Sequence, residues 1–242
     1  MPRARPGLRA RGPRLRRVRW KQAWRIIASR YPPIDVFERA SKDPAVQQAL
    51  IALEQLTNPR LRDEAGDIAL VPPDRRVFGA GASYVMAPFT HVNPKGSRFS
   101  EGAYGLYYCA ESLETAVVET IYHFQKFARE SADPERYEDM RVLVGAVDHE
   151  LHDVATVSKQ RLASIMDPDS YADSRPFGAD LREKGSPGVI YPSARRSGGE
   201  CVGALWPDVV DIPKQERHLK YHRNGERVAR FFDYSKDEWI SL

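Results

Sequence analysis

Cysteine is scarce in this sequence: among 242 residues only Cys109 and Cys201 occur. Two cysteines cannot build a disulfide framework, and neither stands in a Cys-x-x-Cys or Cys/His spacing, so a reducing cytoplasm is expected and a structural zinc is not. Long apolar runs are missing as well. Stretches such as Val142 to Val147 fall far short of the roughly 20 residues a spanning helix needs, so no membrane span is expected. The sequence also lacks a Walker loop, a Gly-x-Gly-x-x-Gly turn and a Gly-x-Ser-x-Gly elbow, which removes the standard nucleotide cradles and the common serine-hydrolase signature. With 42% apolar residues, the chain can still bury a sizeable core.

Acidic residues are absent from the first 21 positions, where eight arginines and Lys21 carry +9; the net charge of +4 therefore leaves −5 for the other 221 residues. So much like charge, with three prolines and two glycines, predicts a disordered stretch. It has no apolar segment of the kind a secretory signal requires, so export is not expected. The expected organisation is a basic disordered arm over residues 1–22 and one folded domain over 23–242. The arm reads either as a solvated extension or as a contact for nucleic acid through counterion release.

Hydrophobic spacing sketches the folded part. Residues 24–28 have a short strand's composition, ended by Tyr31-Pro32-Pro33. Asp43 and Pro44 open a helix whose Val46, Ala49, Leu50, Leu53 and Leu56 form a core-facing stripe. Residues 60–100 are broken by prolines and glycines and read as loop, with only Tyr84 to Ala87 suited to a strand. A strand over Ala103 to Cys109 leads directly to a helix capped by Ser112, with Leu113, Ala116, Val117, Thr120, Ile121 and Phe124 on one face. Met140 to Val147 predicts a buried strand, Ser174-Arg175-Pro176 a short helix, and Val189–Tyr191 and Cys201–Trp206 two more strands. Asn224-Gly225 marks a hairpin. The expected fold class is α+β, a mixed and largely antiparallel sheet with packed helices.

At 100° per residue, Glu119 falls about 60° outside the apolar stripe of its helix, beyond Ala116, while Val118 and Tyr122 make the reverse side partly apolar. Glu119 is thus either a carboxylate held in a cleft or a solvated partner of His123 at i+4. His149 and His152, three apart, could share a metal on a helix, but no third ligand stands at a matching offset, so no metal is expected.

Several segments taken in order resemble the RES-domain proteins: Arg25 in Trp-Arg-Ile-Ile, Arg98 in Gly-Ser-Arg-Phe-Ser, the run from Gly105 through Tyr108 to Glu119, Ser174 in Asp-Ser-Arg-Pro-Phe-Gly, and Ser193 in Tyr-Pro-Ser-Ala-Arg. Many relatives have Gly-Gly-Arg-Trp-Asn around the second arginine. Members of the family are typically toxins of bacterial toxin-antitoxin pairs. The resemblance, over about residues 24–210, implies a fold like the ADP-ribosyltransferase toxins, NAD as substrate and a helix-turn-helix antitoxin as partner. It implies either NAD breakdown with phosphate or water as acceptor, or transfer of ADP-ribose to a target protein. By the same resemblance Glu119 would be the catalytic carboxylate, supported by Arg25 and Ser174, while Arg98, Tyr108 and Ser193 would bind substrate; Ser193 competes with Ser174 for the place of the family's serine. A non-enzymatic nucleic-acid-binding module using the arginine arm is the reading from another class.

Overall fold

The computed structural model describes residues 12–31, 66–129 and 135–242, together with Val46 and Ala49. Eight strands form one sheet: β1 (Arg14–Ala28), β2 (Tyr107–Ala110), β3 (Glu135–Asp153), β4 (Gly188–Pro192), β5 (Glu200–Ala204), β6 (Lys214–Asn224), β7 (Val228–Asp233) and β8 (Glu238–Ser241). Their order is β1-β2-β5-β4-β3-β6-β7-β8, and β1 also pairs with β3. Five strands thereby close into a ring from which β6, β7 and β8 extend. All pairs are antiparallel except β3 with β4. With four α-helices among the described residues, the fold is the α+β class read from the sequence.

Period-2 alternation sorts the strand residues into two cores. Ile26, Ala110, Val189, Tyr191 and Cys201 face one side, with Phe99 and the helix α2 residues Ala116, Val117 and Ile121. Val18, Ala23, Tyr107, Cys109, Ile190 and Val202 face the other, with Val85, Met86 and Phe89 of helix α1. α1 spans Ala82–Thr90 and α2 spans Leu113–Arg129. Two shorter helices, α3 (Lys159–Ile165) and α4 (Ser174–Glu183), complete the set.

The basic arm needs correction. Residues 14–22 are the first half of β1, paired with β3 from Arg14 opposite Asp153 to Trp20 opposite Val147 before a bulge. The arginines are not isolated charge, because the partner strands supply acids. Arg17 meets Asp148 at 2.6 Å, and Arg16 reaches Glu200 at 2.7 Å and Asp153 at 3.5 Å. Each exposed pair contributes only about 0–1 kcal/mol. The ladder and the burial of Val18 hold the strand, and the ion pairs relieve its self-repulsion. Residues 1–11 lie outside the described set.

Other expectations change too. Residues 84–87 are helical, not extended: Ala82, Val85, Met86 and Phe89 are buried at i, i+3, i+4 and i+7, a helical period that the nearby glycines and Pro88 obscured. Val46 is helical but 43% exposed, so it does not join the expected core stripe; Leu50, Leu53 and Leu56 lie outside the described residues. His149 and His152 stand on β3, where a separation of three points them to opposite faces. His152 Nδ1 instead meets Ser186 Oγ at 2.7 Å. No group of three His, Cys, Asp or Glu among the described residues could hold a metal ion. No helix among them is long and apolar enough to cross a membrane.

Candidate active site

A cavity of about 630 Å³ opens between α2, the β1–β2 side of the ring and the loops before β2 and after β4. Helix α2 starts at Ser112, whose Oγ accepts from Thr115 N at 3.2 Å. It sets Glu119, Tyr122, His123 and Lys126 along the cavity, at the i, i+3, i+4, i+7 spacing of one helix face. Its opposite, apolar stripe is fixed in the core. That anchoring directs Glu119 inward.

Glu119 takes its hydrogen bond from Ser193 and not from His123: Ser193 Oγ donates to Glu119 Oε1 at 2.6 Å. Ser193 follows β4 at a turn and accepts on the same oxygen from Arg195 N at 3.1 Å and Arg196 N at 3.0 Å. With both lone-pair directions occupied by amides, the hydroxyl hydrogen is left for the carboxylate.

Arg25 enters from β1. Strands β1 and β2 pair only at Trp24 and Ala110, one residue before Arg25. Nη1 donates to Tyr108 O at 2.8 Å and the group lies 4.5 Å from the Tyr107 ring centre. Burial lowers its pKa, opposed by Tyr107 and Cys109. Its Nε is buried and has no hydrogen-bond partner among the described residues.

Arg98 is buried, and Nη1 donates to Ile165 O at 3.1 Å and to Asp167 O at 2.9 Å, closing the end of α3. Its guanidinium lies 4.8 Å from the Tyr171 ring centre. Tyr108 holds the Arg98 loop from both sides: its hydroxyl meets Ser97 Oγ at 2.9 Å and accepts from Phe99 N at 3.3 Å. Burial pushes the Tyr108 phenol up to about 12, against the lowering effect of those two bonds, so it remains a neutral structural hydroxyl at neutral pH.

The structure thus brings Arg25, Arg98, Tyr108 and Glu119 to one cavity, with Ser193 on the carboxylate. It places Ser174 elsewhere. That side chain is fully buried at the first turn of α4, its Oγ directed to Tyr171 O at 3.4 Å, and it is not part of the cavity wall. Ser174 closes the turn that sets Tyr171.

Sequence reading missed Tyr122, Tyr171, Arg175 and Arg195. Tyr122 carried a legible signal, the polar stripe of α2. Arg195 ends the Tyr-Pro-Ser-Ala-Arg segment, but its place in the cleft was not legible, because only the fold returns the chain after β4 to α2. In total the cavity is lined by seven arginine and lysine side chains against two carboxylates, Glu119 and Glu138. Glu138 is already paired with Arg30 at 3.0 Å and Arg136 at 3.5 Å.

The fold and site define an α+β protein with a cation-rich cleft built around one oriented carboxylate. Residues 73–224 match the RES domain, and the chain belongs to that family. Glu119, Arg98, Tyr108 and both serines lie inside the matched span, and Arg25 precedes it. The chain is 29% identical over 211 residues to the uncharacterized protein y4oC of Sinorhizobium fredii (strain NBRC 101917 / NGR234), covering 87% of this chain and 86% of that one. Among solved structures it is similar to a chain in the crystal structure of the M. tuberculosis MbcT-MbcA toxin-antitoxin complex. There the identity is 14% and the TM-score 0.38, over 52% of this chain and 71% of the other.

Proposed function

We propose that this RES-domain protein is a toxin that consumes NAD by cleaving the nicotinamide–ribose bond, with phosphate or water as acceptor, and that an antitoxin of the helix-turn-helix kind holds it in check. The observation that carries this reading is the Glu119 carboxylate, oriented by Ser193, in a cavity otherwise dominated by cations. A cavity of this size suits a small-molecule ligand, and its cation excess suits the pyrophosphate of a dinucleotide.

As the C1′–N bond breaks, its electron pair leaves with nicotinamide and positive charge spreads over C1′ and the ring oxygen. Glu119 faces that charge. A carboxylate about 4 Å from a unit positive charge contributes about 4 kcal/mol at an effective dielectric constant of about 20, on the order of a thousandfold in rate. Arg25 and Arg98, both on the cavity wall, bind pyrophosphate oxygens, where guanidinium donors serve better than ammonium. The Tyr108 hydroxyl is committed to the Arg98 loop, leaving its ring face for the nicotinamide riboside.

The test is incubation of the purified protein with NAD labelled in its ADP-ribose part, with and without phosphate and with added lysate protein. Free ADP-ribose or its 1-phosphate, together with nicotinamide, is expected. Label retained on protein would replace this reading with protein ADP-ribosylation. Unchanged NAD, with salt-sensitive nucleic-acid binding, would replace it with the binding-module reading.

A further inference from the structure

Arg195 is the cavity's cation most directly tied to the carboxylate. Its own amide N–H bonds the Ser193 hydroxyl that orients Glu119, so the two side chains are registered through one oxygen. Its guanidinium lies 3.3 Å from the centre of the Tyr122 ring, and Tyr122 is one turn beyond Glu119 on α2, about 5 Å along the helix. Among the described residues its one hydrogen bond runs from Nη2 to Pro168 O at 2.7 Å, leaving the remaining N–H groups of the fork for another acceptor. Lys126, a further turn along the same face, is an exposed side chain whose ammonium is 6.0 Å from the Tyr171 ring centre.

An anionic nucleophile approaching a ribosyl cation beside Glu119 meets repulsion from that carboxylate. A cation one helical turn away offsets it, and a flat fork locked on an aromatic ring offers two parallel donors at little entropic cost. Arg25 is anchored on Tyr108 O, and Arg98 has Nη1 committed to two carbonyls, Ile165 O and Asp167 O, the latter next to the Pro168 O that Arg195 uses.

We propose that Arg195, seated on Tyr122 and supported by Lys126, forms the site that holds inorganic phosphate as the attacking acceptor and so sets the balance between phosphorolysis and hydrolysis. This rests on the NAD-consuming reading above. An unprotonated oxygen of hydrogen phosphate forms the new bond to C1′ while the C1′–N pair departs on nicotinamide, whose ring becomes neutral. The remaining phosphate proton needs no acceptor in the step. Charge and atoms balance without a further reagent.

The test measures products from NAD over a phosphate titration, comparing wild type with Arg195→Gln, Arg195→Lys and Lys126→Gln. For Arg195→Gln, the ratio of ADP-ribose 1-phosphate to ADP-ribose is expected to fall at least tenfold and the phosphate KM to rise by a similar factor, with the NAD KM moving far less. Arg195→Lys, which keeps charge but not the fork, is expected to fall between. Lys126→Gln, on an exposed side chain that cannot endanger folding, is expected to lower the ratio about threefold. Unchanged ratios in these variants would overturn the proposal. Wild-type protein that yields only ADP-ribose would overturn it and leave the NAD-consuming reading standing, whereas wild-type protein that leaves NAD intact would overturn both.

Discussion

Ser193 and Glu119 are joined by a 2.6 Å hydrogen bond across 74 residues of chain, and the serine's other two bonds come from the amides of Arg195 and Arg196. The serine therefore acts as a fixed donor rather than a nucleophile, since its proton is directed to the acid and its lone pairs face amides. Replacing Ser193 with alanine removes one charge-assisted bond, typically about 1.5–3 kcal/mol. NAD turnover is expected to fall about 10- to 100-fold with little change in NAD KM, as steady-state kinetics would show. Threonine at the same position should restore part of the loss.

Tyr108 places Arg98 by bridging Ser97 and Phe99. Tyr108→Phe keeps the ring and removes both bonds, a loss of about 1–2 kcal/mol. The melting temperature should drop by about 2–6 °C, and the NAD KM should rise several-fold. A variant with lower stability but unchanged KM would detach the tyrosine from substrate binding.

Residues 14–22 are load-carrying strand, so removing residues 1–22 should not release a dispensable arm. It strips the β1–β3 ladder from Arg14 to Trp20 and exposes Val147 and Leu151. Thermal unfolding should shift down by about 10 °C or more, and a truncation that melts with the full-length chain would refute the pairing.

His123 titrates below its usual 6.5. Loss of water around the ring is the largest cause, Glu119 opposes it, and Arg195, Arg98 and Lys126 add to the lowering. The folded protein thus binds fewer protons here than the unfolded chain. This contribution to stability is present above pH 6.5 and is lost as pH falls through the lowered value. NMR titration of the ring should give a midpoint under 6.5, and Glu119→Gln, by removing the one raising influence, should lower it further.

Most of the sheet and the off-stripe position of Glu119 were legible in the sequence, because both rest on local signals. Short apolar runs marked the strands of residues 140–147, 189–191 and 201–206; Asn224-Gly225, with Gly225 at φ +91°, marked the hairpin between β6 and β7; and Glu119 stood off its helix's apolar stripe. What was illegible depended on partners far along the chain. The arginines of β1 looked unpaired until β3 and β5 supplied Asp148, Asp153 and Glu200. The choice between Ser174 and Ser193 was beyond local reading, since one closes a turn at Tyr171 and the other meets α2 only after β4 is placed in the sheet. Helix α1 was hidden by Gly81 and Pro88, residues that break a helix interior but sit near its two ends here.

The most direct measurement is NAD turnover by Glu119→Gln, with nucleotide binding followed separately by calorimetry. Loss of the negative charge in an isosteric side chain should reduce turnover on the order of a thousandfold while NAD binding stays within a few-fold of wild type, because the proposed reading assigns the pyrophosphate contacts to Arg25 and Arg98. A Glu119→Gln protein that consumes NAD at the wild-type rate would contradict the assignment of this carboxylate to the reaction.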